Sequence, residues 1–339
     1  MIVRKRAYAR VGLCGNPSDG YYGKTIAFTI RDFWAEAVLY ESPELELRPA
    51  RQDHSVFPNL DSLLENIQRT GYYGGIRLMK ASVKTFAGYC KAHGIELPDR
   101  NFTLRYQTNI PRQVGLGGSS AIITATMRAL MSFYGVNIPD HVLPNVVLDA
   151  ETKELQLTAG LQDRVVQAYE GLIYMDFDRE FMEKHGYGQY ERLDTGLLTP
   201  VYLAYRTELG KESDSAHIKT RGRYERGEEE VVKTMDEVAA LAERARKTLM
   251  DGDADGLHEI LNRNFDLRAK MFPISDGDRD MVERARSAGA SAKFCGSGGA
   301  VVGTYSSDDV LETLKETMED GGYEFLLPSV LPPQPRQAL

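Results

Sequence analysis

The segment 111–121 limits the possible folds of this chain more than any other stretch. It reads Pro-Arg-Gln-Val-Gly-Leu-Gly-Gly-Ser-Ser-Ala and joins an extended run, residues 102–110, to an apolar helical run that starts at Ala121. Three glycines and two serines therefore lie where a strand passes into a helix. The first amides of a helix lack intrahelical partners, and the helix dipole adds partial positive charge there. A simple serine cap at the start of the helix would need only one serine. The additional serine and the three glycines therefore predict a phosphate-binding site, and this segment is called the phosphate loop below.

The common phosphate-binding motifs do not fit this chain. A Walker A motif needs G-x-x-x-x-G-K-[ST], and the nearest candidate, residues 23–25, has Ser18 in place of the first glycine. Dinucleotide binding needs G-x-G-x-x-G, and the phosphate loop has Ser120 in place of the last glycine. A second glycine-rich stretch fails in the same way at Val301. The phosphate loop therefore belongs to another class.

The spacing within the phosphate loop resembles that of the GHMP kinases. Their second motif reads P-x-x-x-G-L-x-[GS]-S-S-A, and this chain matches every fixed position: Pro111, Gly115, Leu116, Gly118, Ser119, Ser120 and Ala121. Together with Gly117, these residues are expected to bind ATP. Residues 9–19 and 296–299 are similar to the first and third motifs of the family, so the resemblance covers nearly the whole chain.

The resemblance implies the α+β fold class, with two domains. An N-terminal α+β domain that binds ATP and contains a left-handed β-α-β unit is expected over residues 1–195. A C-terminal ferredoxin-like α+β domain is expected over 196–330, followed by a loosely held tail at 331–339. The active site is expected in the cleft between the domains. A length of 339 residues fits two domains of ordinary size.

Composition limits the partners. The net charge of −8 argues against a nucleic-acid surface, which needs a basic face. The sequence contains no apolar run as long as a membrane span. Its three cysteines are far apart and form neither a disulfide framework nor a zinc pattern, which favours a reducing cytoplasm. We therefore expect a cytoplasmic protein. The family resemblance implies ATP and a small sugar acid as its partners, and a monomer or homodimer is expected.

The local patterns predict most of the elements. Residues 25–30 and 33–40 are expected to form two separate strands, and residues 178–195 a charged loop. Helices are expected at 61–67, 75–93, 121–134 and 139–152 in the first half of the chain. Residues 293–295 and 300–305 predict a hairpin around the glycine turn at 296–299.

The resemblance also assigns the catalytic groups. Asp163 matches an aspartate that contacts the attacking hydroxyl, and Arg10 matches a basic residue near the transferred phosphoryl group. Ser120 and a glutamate are expected to hold Mg²⁺ with the nucleotide. Glu151 has the family's spacing, and Glu154 is the alternative. Phosphoryl transfer needs alignment, neutralisation of charge and a carboxylate for the hydroxyl proton, and these residue types supply all three.

The acceptor is expected to contact Asp19, Asn16, Gly298 and Arg164. The loop at residues 15–19 lacks the Glu–His pair of the family's galactose-phosphorylating members. Together with residues 159–167, it most resembles the members that phosphorylate the anomeric hydroxyl of a uronic acid. A uronic acid requires a cationic partner. The sequence leaves five candidates open for that partner: Arg164, Arg112, Lys219, Arg221 and Arg223.

Two other functions fit the same fold. One is a kinase of the family that acts on another sugar or sugar phosphate. The other is a sensor that binds ATP and sugar without catalysis, because fold does not fix function. A sensor has no need of Asp163, Ser120, Arg10 and a glutamate together, and this favours an enzyme.

Overall fold

The structure is a computed structural model that describes residues 1–50, 53, 58–60, 64, 74–207 and 214–332. The strands in this part of the chain are β1 Ile2–Cys14, β2 Lys24–Glu41, β3 Glu46–Arg48, β4 Phe102–Thr108, β5 Leu172–Asp176, β6 Gln189–Leu193, β7 Val201–Tyr205, β8 Lys293–Phe294, β9 Ala300–Thr304 and β10 Glu324–Leu326. The helices are α1 Gly75–Ala92, α2 Gly118–Tyr134, α3 Leu143–Asp149, α4 Gln162–Tyr169, α5 Arg179–His185, α6 Asp214–Glu225, α7 Glu229–Asp251, α8 Ala254–Met271, α9 Asp276–Ser287 and α10 Asp308–Asp320.

The chain forms two compact units, each built from several segments. The first unit contains Met1–Ala9, Phe33–Ile110 and Gly117–Ala168. The second unit contains Arg10–Asp32, Pro111–Leu116 and Tyr169–Leu339. The division of the chain into family domains with a boundary near residue 195 stays a prediction.

The first unit places helices beside a short mixed group of strands. β4 pairs antiparallel with β2 from Ala35↔Thr108 to Glu41↔Phe102, and parallel with β3. Because α1 lies between β3 and β4 in the chain, these elements form a β-α-β unit, whose predicted left-handedness stays a prediction. α1 buries one face, with Leu78, Phe86 and Cys90 inside, and packs against α2. α2 is buried on nearly every side, which explains its continuous apolar sequence.

The second unit has its own antiparallel sheet in the order β10-β7-β9-β8. Helices lie between β7 and β8 and between β9 and β10, so the chain follows the β-α-β-β-α-β order of ferredoxin-like folds. Tyr202, Phe294, Met281 and Leu314 form the core between this sheet and α9 and α10. β8 and β9 are the predicted hairpin, and the glycine turn joins them.

Two predictions about local structure were wrong. Residues 25–30 and 33–40 belong to a single strand, β2, because neither a glycine nor a proline interrupts the chain at Arg31 and Asp32 between them. The predicted loop at 178–195 contains α5 and β6. Asp178 caps α5 by accepting a hydrogen bond from Phe181 N, and β6 pairs antiparallel with β5.

Other boundaries differ by less. The helix predicted over 139–152 begins only at Leu143 and continues into a π-helical turn, Ala150–Glu154. The helix predicted at 61–67 lies almost wholly outside the described residues, as does the tail after 332. In the part of the chain that the structure describes, we find no helix with the length and apolar character needed to cross a membrane.

Candidate functional site

The phosphate loop reaches the start of α2 through glycines in the left-handed region. Gly117 has φ 71°, and Gly115 has φ 70°. A Cβ atom on Gly117 would stand 3.0 Å from Gln167 Nε2 and 3.3 Å from Ser120 Oγ, so a side chain here would be both strained and crowded. The carbonyl of Gly117 accepts hydrogen bonds from Gln167 Nε2 at 2.8 Å and from Ser120 Oγ at 3.0 Å. These two bonds fix the backbone at the N-terminus of the helix, where an anion binds best.

Asp163 lies beside this helix start within the first unit. Its Oδ2 is 3.4 Å from the point where a Cβ on Gly117 would stand. Asp163 occupies the first turn of α4, a short helix that the sequence did not predict. The structure therefore brings the predicted base next to the phosphate loop, while its catalytic role stays a prediction.

Glu151 and Arg164 form a buried ion pair in the same unit. The exposed fraction of Glu151 is 2%, and both Nε and Nη2 of Arg164 donate to Glu151 Oε2. Arg164 Nη1 also lies 3.4 Å from Asp163 Oδ2, so the guanidinium group joins the two carboxylates. Burial raises the pKa of Glu151, and the charge of Arg164 opposes that shift. The alternative metal ligand, Glu154, is instead paired with Lys84, whose side chain is largely exposed.

In the second unit, Arg10 joins β1 to the beginning of the phosphate loop. Its backbone N–H donates to Leu116 O at 3.0 Å, and its Nη1 donates to Gly115 O at 2.9 Å. Nη1 also donates to Cys295 O, directly before the glycine turn. The exposed fraction of Arg10 is 4%, so Arg10 is a buried cation rather than a surface cation. Its predicted role in phosphoryl transfer stays a prediction.

The glycine turn approaches the phosphate loop closely within the second unit. A Cβ atom on Gly115 would stand 2.9 Å from Gly298 O and 3.0 Å from Ser297 N. Because the two backbones are this close, a side chain at Gly115 would collide with the glycine turn. The turn is held from outside as well: Asp278 Oδ1 accepts from Gly299 N at 2.9 Å. The contact between Gly298 and the acceptor stays a prediction.

The loop that follows β1, residues 15–19, is called the acceptor loop below. Asn16 is buried, and its Nδ2 donates to Phe294 O at 3.3 Å. Lys293 Nζ donates to Asn16 Oδ1 at 2.6 Å, to Gly12 O at 2.7 Å and to Phe294 O at 2.6 Å. Both ends of the Asn16 amide therefore bind the protein itself. Its predicted contact with the acceptor stays a prediction.

Two residues that support the acceptor loop were missed in the sequence. Asn264 Oδ1 accepts from Gly15 N at 2.8 Å, and Asn264 Nδ2 donates to Asn16 O at 3.2 Å. The signal was available, because Asn264 lies three and four residues after Leu261 and Ile260 on the buried stripe of α8. Lys293 carried a similar signal as a charged residue in an apolar strand. Asp19 lies half-buried in a 3₁₀ turn, Ser18–Tyr21, at the end of the loop.

Family models match both halves of the chain. The model described as GHMP kinases N terminal domain matches residues 78–171, which include the phosphate loop and Asp163. The model described as GHMP kinases C terminal matches residues 228–324, which include the glycine turn. The predicted motifs at these two places therefore lie within recognised family regions.

Similar proteins extend the match to most of the chain. Probable glucuronokinase 2 from Arabidopsis thaliana is 49% identical over 308 residues, which cover 89% of this chain and 84% of that protein. Glucuronokinase 1 from the same plant is 47% identical over 306 residues, covering 88% and 84%. Lactococcus lactis galactokinase, solved with galactose, has a TM-score of 0.79 at 15% identity, covering 98% of this chain and 94% of that one. This last likeness confirms the predicted two-domain α+β fold. GHMP kinase models match the regions that contain the phosphate loop and the glycine turn, and a plant glucuronokinase is 49% identical over 89% of the chain. The chain therefore belongs to the GHMP kinase family.

Proposed function

We propose that this protein transfers the γ-phosphoryl group of ATP to the 1-hydroxyl of D-glucuronate and releases glucuronate 1-phosphate. The observation that carries the proposal is the identity of 49% and 47% to two plant glucuronokinases over 84% of their length. As a GHMP kinase, the chain takes ATP as its phosphoryl donor.

The phosphate loop is proposed to bind the ATP phosphates. Its two left-handed glycines keep side chains away from the N-terminus of α2. The amides and the dipole of that helix then attract the phosphate oxygens. Because Gln167 and Ser120 hold the Gly117 carbonyl in place, the loop is ordered before the nucleotide arrives. Such preorganisation avoids an ordering cost during binding.

Asp163 is proposed to accept the proton of the attacking hydroxyl. Its carboxylate lies beside Gly117, where the ATP phosphates are proposed to bind. Arg164 Nη1 lies 3.4 Å from Asp163 Oδ2 and holds this carboxylate in position. Arg10 is proposed to stabilise the negative charge on the transferred phosphoryl group, and its two carbonyl partners fix its direction.

The oxygen donors near the phosphate loop fit Mg²⁺. Among the described residues, no group of three or more His, Cys, Asp or Glu side chains could hold a metal by itself. Ser120 Oγ and Asp163 Oδ2 both lie within 3.4 Å of the Cβ position of Gly117, so hard oxygen atoms gather there. Mg²⁺ usually binds through one or two protein oxygens together with substrate phosphates. We therefore propose Ser120 as one Mg²⁺ ligand and, from its spacing in the family pattern, Glu151 as a second. The bound ion would neutralise phosphate charge.

A substrate panel tests this proposal. The purified protein is incubated with Mg·ATP and one acceptor at a time: D-glucuronate, D-galacturonate, D-glucose, D-galactose or mevalonate. Coupled detection of ADP gives kcat/KM for each. The proposal predicts the highest kcat/KM for D-glucuronate. Equal or better use of a neutral hexose or of mevalonate would contradict it.

A further inference from the structure

We propose that Arg221 binds the carboxylate of the acceptor sugar and thereby determines the preference for a uronic acid over a neutral hexose. This inference rests on the proposed function. It selects one cation from the five that the sequence left open.

Helix α6 lies directly against the end of the acceptor loop. Arg221 Nη1 donates to Gly20 O at 2.8 Å, and Tyr224 OH donates to Tyr21 O at 3.1 Å. The rings of Tyr21 and Tyr224 also meet edge to face, with centroids 5.0 Å apart. Residues three apart share a helix face, so both contacts come from one side of α6. The guanidinium group of Arg221 is thus placed one residue beyond Asp19, which is predicted to bind the sugar.

The electrostatics of Tyr21 place Arg221 and Asp19 in the same surroundings. Burial raises the pKa of Tyr21 to about 12. The positive charge of Arg221 acts against that rise, and the negative charge of Asp19 adds to it. Both charges therefore act at one phenol group, so a sugar that reaches Asp19 also comes near Arg221.

Arg221 keeps hydrogen-bonding capacity for a ligand. Its side chain is 49% exposed, its Nε donates to Glu225 Oε1 at 2.9 Å, and its Nη1 donates to Gly20 O. Among the residues that the structure describes, Nη2 makes no hydrogen bond. The pair with Glu225 is an exposed helix pair of the kind that contributes little. A guanidinium edge of this kind can bind a carboxylate through two parallel hydrogen bonds.

The other four candidates are placed less favourably. Arg164 is buried and donates to Glu151. Arg223 donates to Glu228 at 2.6 Å and lies 3.6 Å from Glu230, so its charge is already paired with two carboxylates. Lys219 is exposed, and among the described residues it makes no hydrogen bond or ion pair with that loop. Arg112 belongs to the phosphate loop, where the nucleotide is proposed to bind.

Four variants test the assignment. Arg221→Gln removes the charge, and Arg221→Lys keeps the charge without the planar fork. Arg223→Gln and Lys219→Gln are matched controls on the same helix. For each we measure kcat/KM with D-glucuronate and with D-glucose under Mg·ATP, and the melting temperature. For Arg221→Gln we expect kcat/KM on glucuronate to fall about 10- to 150-fold, the effect of losing a charged hydrogen-bond partner, with glucose unchanged.

Arg221→Lys should recover part of the glucuronate activity, because it restores a positive charge. The two control variants should match the wild type. An equal fall on both sugars for Arg221→Gln, or no fall on glucuronate, would overturn the assignment of Arg221 while the wild-type preference for glucuronate still stands. A wild type that prefers glucose would overturn the proposed function as well.

Discussion

Replacing Lys293 with methionine should change how stability depends on pH. Lys293 is fully buried, and its ammonium group donates to three oxygen atoms of Gly12, Asn16 and Phe294. Burial lowers its pKa from 10.5 to about 7, and the positive charges of Arg268 and Arg10 contribute to this shift. Methionine fills a similar volume and cannot titrate, so it isolates the effect of the proton.

The sign follows from proton binding. A lysine whose pKa is lower in the folded protein binds its proton more readily in the unfolded chain. Stability therefore rises with pH between the two pKa values, about 7 and 10.5. One proton contributes about 1.4 kcal/mol per pH unit inside that window. Between pH 6 and pH 8.5 the free energy of unfolding of the wild type should rise by about 2 kcal/mol relative to the variant.

Urea unfolding at several pH values, followed by circular dichroism, measures this difference. The scan ends at pH 8.5, because burial also raises the pKa of Cys14 and of Cys295 to about 12. These thiols stay protonated in the fold while the unfolded chain ionises, so they lower stability at higher pH. Subtracting the variant from the wild type removes most other titrations. A difference that stays constant from pH 6 to pH 8.5 would show that the proton on Lys293 does not affect stability.

Three further predictions concern the phosphate loop and its neighbours. Asp163→Asn should lower kcat by about 10²- to 10⁴-fold, measured by steady-state kinetics, and leave ATP affinity nearly unchanged, measured by calorimetry. Near-normal turnover would exclude Asp163 as the base. Gly117→Ala should destabilise the protein by about 1–2 kcal/mol through its φ of 71° and should weaken ATP binding by displacing Gln167; an unchanged affinity for ATP would contradict a phosphate-binding role. Glu151→Gln removes the negative charge that both Nε and Nη2 of the buried Arg164 contact, while Asp163 Oδ2 stays 3.4 Å from Nη1. The change should cost about 3 kcal/mol in urea unfolding, whereas an unchanged midpoint would show that the pair with Glu151 contributes nothing.

The sequence predicted those parts of the site that depend on backbone chemistry. The glycines of the phosphate loop and of the glycine turn lie where the chain needs left-handed φ values or close backbone approach. Residue type alone reveals such positions, because other residues are strained there. The family resemblance added Asp163, which no local pattern distinguishes from a capping residue in the first turn of a helix.

The supporting contacts could not be predicted in the same way. Lys293 and Asn264 act on the acceptor loop from positions more than 240 residues away in the chain. Apart from the side-chain oxygen of Asn16, the partners of these two residues are backbone groups, which carry no residue-specific signal. The pairing of Arg164 with Glu151 likewise depends on how α4 meets the π-helical turn, and α4 was not predicted from the sequence.

The position of phosphate on the product is the most direct test of the proposed 1-kinase activity. The protein is incubated with Mg·ATP and D-glucuronate, and the product is examined by ³¹P and ¹H NMR. We expect a single phosphomonoester whose phosphorus couples to the anomeric H1, formed in proportion to ADP. Phosphate on another hydroxyl, or ATP consumption without any sugar phosphate, would contradict it.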